Sequence, residues 1–241
     1  MVILPGLSIK SVMLSAPAVA KEYEIMQEVF TVYVFDRRSD LPDCYTVADM
    51  ARDTVLAMTA LGLHDIDLFG ASQGGMIAME IAVEHPGLVH KLVLASTAAS
   101  VQEDGFGTLG KWLKLAEKGD RVGLFLAFGE ALYPTEVFRQ YRDALVMIAN
   151  SVTDDELRRF VILAEGARGF DILDRLDKIC CPVLVIGSDD DRVLEADAFV
   201  QIVERLDGRE DFQSHLYHGY GHAAFDTAPD CRERIYRFFT L

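Results

Sequence analysis

Gly70-Ala71-Ser72-Gln73-Gly74-Gly75 stands between two apolar runs. Ahead of it, Ile66, Leu68 and Phe69 read as the end of a buried strand. Behind it, Met76, Ile77, Met79, Ile81, Ala82 and Val83 read as a helix with only Glu80 and Glu84 left for water. A sharp corner must join the two. Small residues two places either side of Ser72 let the backbone turn without clash and hold the hydroxyl at its tip. The helix N-terminus then aims free N–H groups and its positive dipole end at any oxyanion that forms there. A G-x-S-x-G sequence alone would suit a plain turn; the strand before it and the helix after it favour a nucleophile.

Working outward, Met1 to Leu4 is a short apolar run stopped by Pro5-Gly6, and a helix is predicted over Ser15 to Glu28. Phe30 to Phe35, FTVYVF, is the strongest strand pattern, closed by Asp36-Arg37-Arg38. Thr46 with Asp49 opens the next helix as a capping box, and Gly62 ends it. Beyond the serine corner, Leu92 to Ala95 is another strand. Strands alternating with helices predict parallel pairing, right-handed crossovers and a doubly wound α/β sheet.

From Val101 to Arg168 the alternation gives way to four helical patterns: Phe106 to Lys118, Arg121 to Leu132, Thr135 to Ala149 and Thr153 to Ala167. It resumes after Asp171 to Ile179 with a strand at Val183 to Ile186, a helix at Leu194 to Leu206, a strand at Phe212 to Tyr217 and a closing helix at Pro229 to Phe239. The expected organisation is a core of residues 1–100 and 169–241 with an all-helical cap at 101–168.

The 241 residues fit such a domain, and 38 acidic against 23 basic side chains give a formal charge of −15. That charge argues against nucleic acid and anionic membranes as partners, and simple solubility is the better account of its origin. Cys44, Cys180, Cys181 and Cys231 show no metal-ligand spacing and read as reduced thiols. Val12 to Ala20 is apolar, but no basic segment precedes it, and Pro5, Gly6 and Lys10 break up the apolar N-terminal run, so it does not read as a signal peptide. No stretch approaches the roughly 18 apolar residues of a membrane span. A cytoplasmic location is the resulting expectation.

A serine hydroxyl needs a general base, and that base needs an orienting group. In an open parallel sheet these are sought in the loops after other strands. Two such loops carry the groups: Gly187-Ser188-Asp189-Asp190-Asp191, and His218-Gly219-Tyr220-Gly221-His222. The chain order Ser, acid, His, together with GASQGG at Gly70 to Gly75, HPGLVHKLVL at His85 to Leu94, PVLVIGSDDDRV at Pro182 to Val193 and GYGHAAFDTAP at Gly219 to Pro229, resembles the α/β-hydrolase superfamily in its serine-nucleophile, helical-capped branch.

The resemblance implies Ser72 as nucleophile, His222 as base and Asp190, in a G-x-x-D pattern from Gly187, as the orienting acid. Asp189 and Asp191 are immediate rivals to Asp190, and His218 is the rival base. It also implies an oxyanion hole of backbone N–H groups from Gln73 and Leu7, with no metal or organic cofactor. Many relatives carry His-Gly where this chain has Pro5-Gly6. The family usually begins with two further strands, so either the start is truncated or the sheet is short by an edge hairpin, and FTVYVF is expected to form its edge. Pairing or coverage of that edge is expected, a homodimer being one form of it.

Trp112, Leu113, Leu124, Phe125, Phe128, Tyr133, Phe138, Tyr141, Met147 and Phe160 enrich the insertion. They suit an apolar pocket or a core of the cap's own. The expected function is a serine hydrolase acting on a carboxylic ester, thioester or lactone of a small, mostly apolar substrate through an acyl-enzyme. The alternatives are carbon–carbon bond hydrolysis or an iminopeptidase or amidase on the same triad, and, less favoured, a non-catalytic ligand-binding relative.

Overall fold

Three residues of Val2–Leu4 (β1) set the plan of the sheet, because the strand order reverses around them. The computed structural model describes residues 1–101, 106–194 and 197–241. Residues 102–105, in the expected insertion, and 195–196, in the helix expected over Leu194 to Leu206, lie outside the described residues. The other strands are β2 (Tyr33–Val34), β3 (Ile66–Ala71), β4 (Val89–Ala95), β5 (Val183–Ser188) and β6 (Phe212–Tyr217). They form one sheet in the order β2-β1-β3-β4-β5-β6, with every neighbouring pair parallel. The chain therefore leaves β1 toward one edge and returns at β3 to build the other. In such sheets the crevice for ligands opens at the carboxyl ends of the strands where the order reverses, here the ends of β1 and β3.

The central strands are buried on both faces, as parallel strands under two helical layers must be. Alternate side chains enter different cores. Val2, Leu4, Leu68, Leu92, Leu94, Val183 and Val185 face one cluster, and Ile3, Phe69, Val93, Ala95, Leu184 and Ile186 the other.

Helix α1 (Ala16–Glu22) is flanked by short 3-10 turns at Val12–Ser15 and Glu24–Glu28, which corrects the continuous helix expected over Ser15 to Glu28. Tyr23 breaks it: its buried ring packs 5.9 Å from that of Phe69, and its backbone leaves the helical region. The strand expected over Phe30 to Phe35 shrinks to Tyr33–Val34, because short β1 offers it only Val2 and Ile3 as ladder partners. That strand does form one edge of the sheet.

Helix α2 (Val47–Ala60) starts at the expected capping box: Thr46 Oγ1 accepts from Asp49 N–H at 3.2 Å, and Asp49 Oδ2 accepts from Thr46 N–H at 3.0 Å. Helix α3 (Gln73–Glu84) follows the serine corner. Between β4 and β5 come α4 (Gly107–Glu117), α5 (Arg121–Leu132), α6 (Thr135–Ala149) and α7 (Asp154–Glu165). The chain closes through α8 (Ala198–Leu206), α9 (Ala224–Thr227) and α10 (Cys231–Thr240).

Trp112, Leu113, Leu124, Phe125 and Phe160 of the four inserted helices are buried in the same cluster as Val2, Leu68 and Leu92 of the sheet. The insertion thus shares a core with the sheet, while Tyr141 and Met147 stand at 48% and 75% exposure. No helix among the described residues is long and apolar enough to cross a membrane.

Candidate active site

Ser72 joins β3 to α3 with φ 51° and ψ −121°, a left-handed backbone that a residue with a Cβ adopts only under constraint. Strain of this kind costs roughly 1–3 kcal/mol and persists where the surroundings enforce it. Here Ser72 N–H donates to Ala95 O at 2.9 Å, while Ser72 O accepts from Thr97 Oγ1 at 2.7 Å and from Gly75 N–H at 2.8 Å. Close packing finishes the corner: a Cβ on Gly74 would collide with the Leu4 carbonyl, so only glycine lets α3 approach the end of β1.

The two loops expected to supply base and acid are laced together residue by residue. Asp189 Oδ2 lies 2.7 Å from His218 Nδ1, and Asp189 Oδ1 accepts from Gly219 N–H at 3.2 Å. Asp190 Oδ1 accepts from Gly221 N–H at 2.8 Å and from Ser188 Oγ at 2.7 Å. Asp191 Oδ2 lies 2.7 Å from His222 Nδ1, and Asp191 Oδ1 accepts from Val193 and Leu194 N–H at 2.8 and 3.0 Å.

The imidazole of His222 is 1% exposed, and the Asp191 side chain 10%. The carboxylate that orients His222 is therefore Asp191, which corrects the expectation of Asp190. The reason lies in β5, which runs to Ser188 and pairs Ser188 with Tyr217, so that the lacing starts at Asp189 and reaches His222 only at the third aspartate. Burial would raise the Asp191 carboxyl, but the charge and hydrogen bond of His222, with the N–H groups of Leu194 and Val193, outweigh it and hold it below the usual carboxylate range. The expected rival pair His218 and Asp189 is exposed at 75% and 45%. The loop is also fixed to the end of α5: Ala223 N–H donates to Leu132 O at 3.0 Å, and Gly221, at φ 65°, has no room for a Cβ beneath that carbonyl.

Gln73, whose backbone N–H stands at the start of α3, is 3% exposed and tied at both ends of its side chain. Its Nε2 donates to Leu163 O of α7 at 2.6 Å, and its Oε1 accepts from Arg37 Nη2 at 3.0 Å. Burial pulls the Arg37 guanidinium down to about 10, opposed by Asp36. Asp36 in turn accepts from Arg159 of α7 at 2.7 Å and from Ser11 Oγ at 2.5 Å. From the sequence Gln73 reads as a backbone donor only and Asp36-Arg37 as a polar strand end. The available signal was their position, immediately after a strand at the ligand-binding edge of the sheet.

Leu7 follows β1 and shares two cavities with Ser72. One, of about 190 Å³, is also lined by Gln73, Met76, Leu109 and Trp112. The other, of about 650 Å³, is also lined by His222, Trp112, Phe125 and Tyr133. Ser72 and His222 thus open into one space, with no direct hydrogen bond between them among the described residues.

The family described as serine aminopeptidase, S33, matches residues 42–227. RutD of Rhizobium rhizogenes, a protein assigned to carbamate hydrolysis, is 27% identical over 208 residues, which cover 81% of this chain and 79% of the relative. Among solved structures, the α/β hydrolase MGS-M2 from a deep-sea metagenome superposes with a TM-score of 0.87 at 19% identity, covering 100% of this chain and 89% of the other. The enol-lactonase from Burkholderia xenovorans gives a TM-score of 0.81 at 18% identity, covering 100% and 91%. These two likenesses are of fold.

Proposed function

Since the chain belongs to the serine aminopeptidase S33 family of α/β hydrolases, we propose that it is a serine hydrolase cleaving a carboxylic ester, thioester or lactone of a small, mostly apolar substrate. The observation that carries this reading is the buried Asp191–His222 pair, whose imidazole lines the cavity onto which the strained Ser72 opens. Asp191 accepts the Nδ1 proton of His222 and leaves Nε2 as the base. Nε2 takes the Ser72 proton as Oγ attacks the carbonyl carbon, and the imidazolium formed is stabilised by the Asp191 charge.

The carbonyl oxygen, now an oxyanion, faces the N–H groups of Gln73 and Leu7 and the positive end of α3. Collapse expels the leaving group, which takes its proton from Nε2 and leaves an acyl-Ser72. Water, deprotonated by the same Nε2, adds to the acyl carbon; the second collapse returns the proton to Oγ and releases the acid.

A second reading, hydrolysis of a carbamate, is favoured by the similarity to RutD; a carbamate carbonyl would meet the same groups. The test is intact-mass analysis after a fluorophosphonate, on wild type, Ser72→Ala and His222→Ala. One adduct per chain, absent from both variants, is expected, followed by turnover on a panel of esters, thioesters, lactones and carbamates. Folded wild type that takes no label overturns the proposal.

A further inference from the structure

The two cavities meeting at Ser72 are unequal in size, in lining and in access to His222, and this sorts the two halves of a substrate. The tetrahedral carbon formed on Ser72 has three substituents besides Oγ. Its oxyanion points to the Gln73 and Leu7 N–H groups. Its leaving heteroatom must come within hydrogen-bond reach of His222 Nε2 to be protonated. His222 lines the cavity of about 650 Å³ and not the one of about 190 Å³. The leaving group therefore departs into the large cavity, and the acyl chain takes the small one beneath α4.

From this division, which rests on Ser72 as nucleophile and His222 as proton donor, we infer that the substrates are small on the acyl side only, joining a short, uncharged acyl group to a bulky apolar leaving group. Size limits the acyl side: an apolar cavity of about 150 Å³ admits benzene, so 190 Å³ walled by Met76, Ala98, Leu109, Trp112 and Leu194 admits a group little larger. Charge limits it too. Asp171 and Asp197 also line this cavity and are exposed, which puts two carboxylates at its solvent end, where they repel an anionic acyl chain.

The leaving-group side has the volume of a site for a drug-sized ligand. Its wall continues onto the surface through Leu14 and Ile148, which line the cavity and are 67% and 43% exposed. A large apolar group can thus extend over an apolar rim.

The test is a pair of isomeric esters of similar intrinsic reactivity: the biphenylmethyl ester of butyric acid and the propyl ester of biphenylacetic acid. The butyrate is expected to be cleaved with a kcat/KM higher by at least about tenfold, the scale on which a pocket rejects an oversized group. Leu109→Trp, in the small cavity, is expected to lower the ratio of butyrate to acetate turnover. Leu145→Trp, in the large one, is expected to lower the ratio of biphenylmethyl to methyl butyrate turnover. Stoichiometric fluorophosphonate labelling of each protein separates the two levels. Labelled enzyme with an equal or reversed preference overturns the partition alone, whereas wild type that is folded but takes no label overturns the nucleophile on which it rests.

Discussion

Asp191 and His222 form a buried pair, Oδ2 to Nδ1 at 2.7 Å, while Asp190 one residue earlier holds Gly221 N–H at 2.8 Å and never reaches the ring. Adjacent carboxylates thus do different work. Asp191 holds the imidazole ring itself, and Asp190 holds the backbone that carries it.

The two should separate on substitution. Asp191→Asn, which keeps the shape and removes the charge, is expected to lower kcat by about 10⁴, the loss typical when the orienting acid of a triad is neutralised. Asp190→Asn retains a carbonyl acceptor for Gly221 and is expected to cost less than about tenfold, with a stability loss near 1 kcal/mol. Steady-state rates of the two variants decide it; a larger loss at Asp190 would return the role to that residue.

Asp191 also gives stability a defined acid limb. Its carboxyl is held below the usual 3.8, so the proton is bound less tightly in the folded chain than in the unfolded one. The resulting stabilisation is fully present above pH 3.8 and is lost as pH falls through the lower folded value. The difference in urea midpoint between wild type and Asp191→Asn is therefore expected to be largest at neutral pH and to shrink below pH 3.8. A difference that holds constant across that range contradicts the linkage.

Gln73 couples the start of α3 to the inserted helices, since one side chain bonds Arg37 behind β2 and the Leu163 carbonyl of α7. Gln73→Ala leaves that buried carbonyl and the Arg37 Nη2 group without their Gln73 partner, a cost of about 1–3 kcal/mol. Thermal unfolding should drop by roughly 2–4 °C per kcal/mol. If the clamp also aims the backbone N–H, kcat falls by more than KM rises, and Arg37→Met shows the same split. A KM rise alone would mean that the side chain only shapes the small cavity.

The sheet was legible because a buried parallel strand is a short apolar run, as at Val183, and a half-exposed edge strand alternates apolar with polar residues, as at Phe212; both expected starts match the observed ones. The insertion was legible because helical periodicity persists over Thr135–Ala149, while Arg121–Leu132 is an apolar run too long for a strand; the expected bounds of both agree with the observed ones. The orienting acid was not, since three successive aspartates differ only in how far β5 runs before its loop begins, and that length is set by pairing with β6. Nor could spacing show that Gln73 reaches Arg37, 36 positions away, because that contact exists only once β1, β2 and β3 lie side by side.

The edge strand supplies the remaining prediction. Tyr33 and Phe35 donate their N–H groups inward, to Met1 O at 3.0 Å and Ile3 O at 3.1 Å, so the intervening Val34 N–H points to the open edge. The side chains of Phe30, Val32 and Val34 pack against one core and those of Tyr33 and Phe35 against the other, which covers both faces but leaves the backbone edge free to pair. A second copy of this chain would satisfy it, and we propose a homodimer formed through this edge. Sedimentation equilibrium is expected to show a dimer that Val34→Pro dissociates, because proline removes the outward donor while Tyr33 and Phe35 keep theirs. A wild-type monomer throughout the micromolar range would leave the edge covered by its flanking side chains alone.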